Sequence, residues 1–522
     1  MYVTSPAEAA HDWPDFLDVP GRSAETCVLL RHMTGRPVAT EDAFFARLYG
    51  LQEADGLFYR PETAITSHAA HREEQALVMG ALLARAIADE DDEARRRLAA
   101  LVGGLARLEA TPGSFPGMLL RPLVRAYEAL GIEPALVLAE RLRDQALSQP
   151  LFRPDGTFAG HVHSHLYAAA GLAELGRLTD DVALVAAMDQ VFRVMRSRST
   201  SFGFVPELTE RQDDLIACET CCLMDYLHLA LALARAGHRE YYDDLERAVR
   251  NHLVESRVRD GGWLPAAADA RDEELLCRVG LRDKVLGAYA GWSSPNHILA
   301  YDEHLPPQWV KSPALAPIYL RKVRALQNCC SPSGPKALYL AWQHASVVVG
   351  DTLWVNLLLD RSLPEAEVRG REPFEGRLDV TLHAPLQVAL RVPAFASAEQ
   401  VTVGVNGAPG EVRLAGGYLT TTRLPAGAGL TLTYPLPAWT EPVTIGNEGF
   451  QGYKYELQWR GSTVMRVRPG ENPATGRSHL MAEPVRLYYG SDGPHPLYER
   501  ARRPDTGPQP GSLHATAGPR VW

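Results

Sequence analysis

The amino-acid sequence predicts an (α/α) helical barrel followed by antiparallel β-sandwich domains, and three observations carry that prediction. From about residue 60 to 345, apolar residues recur at helical spacing in segments of similar length, joined by short linkers marked by Gly or Asp. Near residue 345 the pattern changes to the alternation of half-buried strands. The length of 522 residues also asks for more than one core, since single cores rarely grow beyond ~250–300 residues. The expected division is 1–345 for the barrel, 346–442 for a β-sandwich, 443–500 for a further β unit and 501–522 for a Pro- and Gly-rich disordered tail.

The helical half is legible segment by segment. Glu74 to Ile87, Leu119 to Leu130, His165 to Leu175, Val182 to Val194 and Leu223 to Ala234 each place apolar side chains three and four residues apart. Leu130-Gly131-Ile132-Glu133, Leu178-Thr179-Asp180-Asp181 and Arg235-Ala236-Gly237-His238 are the stops and starts between them. Paired helices repeated this often suggest a toroid, although no strict sequence repeat accompanies them. In the second half, Ala345 to Leu359 reads as two strands around a Gly350-Asp351 turn. Further strands are expected over Arg377 to Leu382, Gln387 to Val392, Val401 to Val405 and Leu430 to Tyr434. Asn406-Gly407 is a hairpin signal, because both residues tolerate the positive φ of a type I′ turn.

Composition narrows the function classes. A net charge of −10 and no strongly basic stretch exclude nucleic acid as the main partner. No apolar run reaches the ~20 residues that span a bilayer, and the N-terminus lacks the basic and apolar regions of a signal peptide. A cytoplasmic protein with no membrane partner is expected. The composition is equally compatible with a monomer and a homodimer.

The seven cysteines are unevenly spread: Cys27 stands alone, and the others fall at 218, 221, 222, 277, 329 and 330. In a reducing compartment, gathered thiols point to a soft metal site or a reactive thiolate rather than to disulfides. Zinc takes four N, S or O donors, with thiolate the preferred soft one. Glu219 and Cys221 are two apart, so a regular helix would turn them to different sides, and a turn entering the helix after Leu223 is the better expectation. Cys329 and Cys330 likewise precede an apolar helical stretch from Ala337 to Trp342. Helix N-termini lower a thiol's pKa through their free N–H groups and dipole. For Cys27, Cys218, Cys222 and Cys277, simple space-filling burial is the expectation.

Glu-Thr-Cys ahead of a long apolar helix, then Cys-Cys about a hundred residues later, resembles the zinc-thiolate β-L-arabinofuranosidases of glycoside hydrolase family 127. Glu240 to Leu253, Asp351 to Leu359, Leu390-Arg-Val-Pro393 and Val403-Gly-Val-Asn-Gly407 resemble that family's later segments, in the right order over residues 150 to 500. The resemblance implies an (α/α)6 barrel with β-sandwich domains. It implies zinc (Zn2+) held by Glu219, Cys221, Cys329 and Cys330, and Cys329 as the nucleophile of a retaining reaction on a small glycoside or oligosaccharide. His165, with His163 nearby, would contact sugar. Trp263, Trp292, Trp309 and Trp342 lie in the barrel half, where core packing is the expected role and stacking on a sugar the alternative.

One part departs from the family. Its acid/base Glu follows a Gly in a Gly-Glu-Ala-Phe-type segment, and counting back from Glu219 reaches Gly203 in Ser201-Phe-Gly-Phe-Val-Pro-Glu207. A loop shift brings Glu207 into the role, with Glu210, Asp213 and Asp214 as rivals. The alternative is a non-hydrolytic relative on the same barrel, an isomerase, lyase, transferase or sugar-binding protein, with the acid/base lost or relocated.

Overall fold

The computed structural model describes residues 2–3, 16–63, 66–108, 117–148, 151–209, 218–258, 281–293, 326–327, 329–445 and 453–469. Six helices form a closed inner ring: α1 (Asp18–Thr34), α3 (Arg72–Ala88), α5 (Leu120–Leu130), α7 (Val162–Leu178), α9 (Thr220–Arg235) and α12 (Cys330–Ala345). Each packs against the next, and α12 returns to α1. Between them in sequence lie the outer helices α2 (Glu41–Tyr49), α4 (Asp92–Arg107), α6 (Glu133–Ser148), α8 (Val182–Arg198) and α10 (Tyr241–Ala248), with a single turn, α11, at Leu281–Lys284. The described residues thus hold five outer helices, and α12 runs directly into the first strand of the sandwich.

The inner and outer helices differ as their sequences require. In α9 every residue from Thr220 to Ala234 is buried, because a helix apolar on all sides must be covered on all sides. In α4 only one face is buried, through Ala94, Leu98, Leu101, Val102 and Leu105. The linker residues act as expected: Asp181 caps α8 by accepting from the Leu184 N–H at 3.0 Å, and Gly131 closes α5 at φ 67°.

The sandwich is two sheets. One has strands in the order Val412–Ala415, Tyr418–Thr421, Gln387–Arg391, Thr352–Val355 and Ser346–Val349. The other runs Ala408–Pro409, Thr402–Val405, Gly429–Thr433, Arg377–Leu382, Ala366–Gly370 and Arg361–Ser362. Their facing side chains, among them Leu353, Val355, Val380, Leu390, Leu430 and Leu432, form one apolar core. Pairing is antiparallel except between Gln387–Arg391 and Thr352–Val355, which run parallel. Asn406 and Gly407 make their hairpin with φ of 51° and 80°.

A third sheet, Ala438–Ile445, Tyr453–Arg460 and Thr463–Pro469, turns its apolar face elsewhere. Ile445, Tyr455, Leu457, Trp459, Val464 and Val467 belong to the core of the helical barrel, not to that of the sandwich. The tail at 501–522 lies outside the described residues. No helix among the described residues is long and apolar enough to cross a membrane.

Candidate active site and metal centre

The N-terminal ends of α1, α7, α9 and α12 meet at one end of the barrel, and the chemistry-bearing residues are there. Glu219 has extended backbone and is the N-cap of α9. It belongs to a two-residue strand, Cys218–Glu219, paired antiparallel with Trp292–Ser293. Cys221 follows in the first turn. Across from it, Cys329 is the N-cap of α12 and Cys330 its first residue. Both thiol pairs thus sit at helix N-termini, as the sequence suggested.

Helix α12 starts seven residues earlier than the apolar run at Ala337 implies, and packing explains why. Pro332 falls in the first turn, where a missing N–H costs nothing, and its carbonyl accepts from the Thr26 hydroxyl of α1 at 2.9 Å. Gly334 lies against Tyr289, whose ring would be only 2.1 Å from any added Cβ. The turn carrying the two cysteines is therefore clamped from both sides by residues far away in sequence.

The donor atoms of Glu219, Cys221, Cys329 and Cys330 all lie within 4.8 Å of one another. Cys221 Sγ is 3.5 Å from Cys330 Sγ, Cys329 Sγ is 3.9 Å from Cys330 Sγ, and Cys330 Sγ is 3.7 Å from Glu219 Oε1. Three of the four residues are buried, and Cys329 alone is partly open. Ser333 supports the set, its hydroxyl 3.3 Å from Cys221 Sγ and donating to the Cys329 carbonyl at 2.8 Å. Burial and the neighbouring acids push the Cys221, Cys222 and Cys330 thiols up. Cys329 goes the other way, to about 6, because hydrogen bonds from Cys221 and Cys330 and the nearby Arg22 charge outweigh its burial. Three thiols and a carboxylate converging in a buried space match the donor set of a soft divalent ion, which keeps such thiols deprotonated when bound.

Two further shells fix this arrangement. Arg22, buried on α1, donates to His163 Nε2 at 3.1 Å and pairs with Asp18 at 2.5 Å. His163 Nδ1 is hydrogen-bonded to the fully buried Asp225 of α9. With both ring nitrogens engaged inside the protein, His163 holds Arg22 toward the thiols and has none to offer a sugar. His165 bonds the His161 carbonyl through Nδ1 at 2.8 Å and stacks on Phe158 at 4.5 Å. His161, two residues before His163, reaches the centre directly, with Nε2 2.7 Å from Glu219 Oε2. Burial alone would lower its imidazole, but the Glu219 carboxylate raises it to about 9.

Glu207 lies beside this group. Its carbonyl accepts from the Val162 N–H at 2.8 Å, and its carboxylate charge acts on both His161 and Cys222. Gly203, where an ungapped count would seek the acid, has φ +90° and lies against Ala248, 2.5 Å from any added Cβ. No carboxyl side chain fits there. Glu210, Asp213 and Asp214 lie outside the described residues, as do Cys277, Trp263 and Trp309. Trp342 is buried in the barrel core beside Tyr339.

Arg22, Asp225, Ser333 and a close approach by Cys222 were not read from the sequence, and Arg22 lies nearly two hundred residues from Glu219.

Fold and site together define a two-part protein: a helical barrel backed by β-sheets, with a thiol-rich centre fit for a metal ion at one end of the barrel. Among solved structures, the chain is similar to a GH127 β-L-arabinofuranosidase from Geobacillus stearothermophilus T6, with TM-score 0.59 and 15% identity over 88% of this chain and 78% of that one. It is also similar to another GH127 β-arabinofuranosidase, with TM-score 0.60 and 17% identity over the same shares of the two chains. A protein described as a glycoside hydrolase is a third, with TM-score 0.58 and 13% identity over 85% and 76%. These likenesses show the fold. No family model and no curated protein matches the sequence.

Proposed function

We propose that this protein is a retaining glycoside hydrolase that removes a terminal sugar of the β-L-arabinofuranoside type, with Cys329 as nucleophile. The observation that carries the proposal is the convergence of Glu219, Cys221, Cys329 and Cys330 within 4.8 Å, with Cys329 the one partly open donor. The solved structures of similar fold, two of which are named as β-arabinofuranosidases, support it.

Glu219, Cys221, Cys329 and Cys330 would hold zinc, which supplies a field that keeps the thiols deprotonated. Cys329 Sγ attacks the anomeric carbon as the glycosidic bond breaks, and the leaving oxygen takes a proton from a carboxylic acid. Water then cleaves the S-glycosyl bond, with the same carboxyl group now taking the proton. Glu207 is the residue we assign to that role. Arg22, held by Asp18 and His163, keeps positive charge near the Cys329 sulfur. A cytoplasmic setting keeps these thiols reduced.

The test is intact-protein mass spectrometry after incubation with aryl glycosides, the β-L-arabinofuranoside included. The expected result is a pentose-sized adduct on a peptide containing Cys329, absent from Cys329→Ser, together with release of the aryl group. Sugar binding without adduct or release across the panel would remove the hydrolase reading and favour the non-hydrolytic alternative.

A further inference from the structure

We propose that the chain holds a second divalent-ion position, formed by His161 Nε2, Cys222 Sγ and Glu219 Oε2, adjoining the four-donor site and bridged to it by the Glu219 carboxylate. The donor atoms of these three residues also lie within 4.8 Å of one another. They supply one nitrogen, one sulfur and one oxygen, a mixture that suits zinc.

The two oxygens of Glu219 face different ways. Oε1 faces Cys330 Sγ at 3.7 Å, whereas Oε2 faces His161 Nε2 at 2.7 Å and Cys222 Sγ at 3.3 Å. A carboxylate so divided can ligate one ion on each side. The three donors come from two elements already rigid for other reasons. Glu219 and Cys222 lie at the buried start of α9, and His161 is the N-cap of α7. His161 keeps 38% of its side chain exposed, so solvent reaches the cluster on that side, where water would complete a site of three protein ligands.

The experiment is equilibrium dialysis of the chelator-treated full chain against zinc, with metal counted by mass spectrometry. Wild type is expected to bind two zinc ions, and Cys222→Ala and His161→Ala one each. Cys218→Ala, a control for loss of a neighbouring buried thiol, is expected to retain two. Two ions in both Cys222→Ala and His161→Ala would overturn the second position. So would one ion in wild type that is lost in Cys330→Ala, while leaving the four-donor site standing. No zinc in wild type would overturn both.

Discussion

The seam between barrel and sandwich buries Glu246, Arg250 and Arg391 together, while the end of the barrel buries Glu219, Cys221, Cys222 and Cys330 together. The seam is neutralised by its own residues. Glu246 pairs with Arg250 at 2.7 Å, with Arg391 of the sandwich, and with the Leu358 N–H at 3.0 Å. Arg250 in turn donates to the Leu358 carbonyl at 2.6 Å. The thiol end is a gathering of acids, with Arg22 and His161 as the nearby bases. A buried group that closes on itself is structural; one that stays anionic asks for a partner from outside. The comparison thus separates a fastening from a site without reference to any relative.

Removing one member of each cluster should expose that difference. Glu246→Ala takes its carboxylate from the buried Arg250 and leaves Arg391 with Asp243 at 3.4 Å, and is expected to cost about 3–5 kcal/mol of unfolding free energy, measured by urea denaturation. Metal content and thiol reactivity of the folded fraction should stay unchanged, and a milder loss, below ~1 kcal/mol, would mean that the seam is solvated. Chelation should act on the other cluster alone. Removing an ion present at about 100 times its dissociation constant costs roughly 2.7 kcal/mol, read as a fall in melting temperature reversed by zinc. Because the clusters share no partner, the two losses should add to within ~0.5 kcal/mol. A larger coupling would show that seam and site are one unit.

How much of this was legible depends on how local each signal is. The helix from Leu223 to Ala234 and the Asn406-Gly407 hairpin are stated by neighbouring residues, and both are found where expected. The thiols were legible because Cys329 and Cys330 are adjacent and Glu219 and Cys221 nearly so. The length of helix before Ala337 was less so, since Pro332, Gly334 and Pro335 are poor helix formers and contacts from the distant Thr26 and Tyr289 help hold the turn. Arg22 and Asp225 were hidden for the same reason: their proximity to the thiols exists only once the ring of helices closes. The third sheet illustrates the limit for strands. A further β unit was expected here, but a strand pattern does not say which core receives the apolar face, and here it is the barrel's.

Glu372 gives a further test, at the edge of the seam. It is fully buried, accepts from the Ser462 N–H through Oε1, and leaves Oε2 without a hydrogen-bond partner among the described residues. Burial raises its carboxyl from the usual 4.5 to about 7, against the pull of Arg250. The folded protein therefore holds this proton more tightly than the unfolded chain does. That contribution to stability is fully present below the unfolded value and is lost as pH rises through about 7. Glu372→Gln keeps the acceptor for Ser462 and removes the titration. At pH 4 the variant should match wild type, and at pH 8 it should be the more stable, by roughly 2–3 kcal/mol. Parallel melting curves at both pH values would mean that Arg250 already compensates Glu372, and that the neutralised region extends one residue further than the Glu246 network.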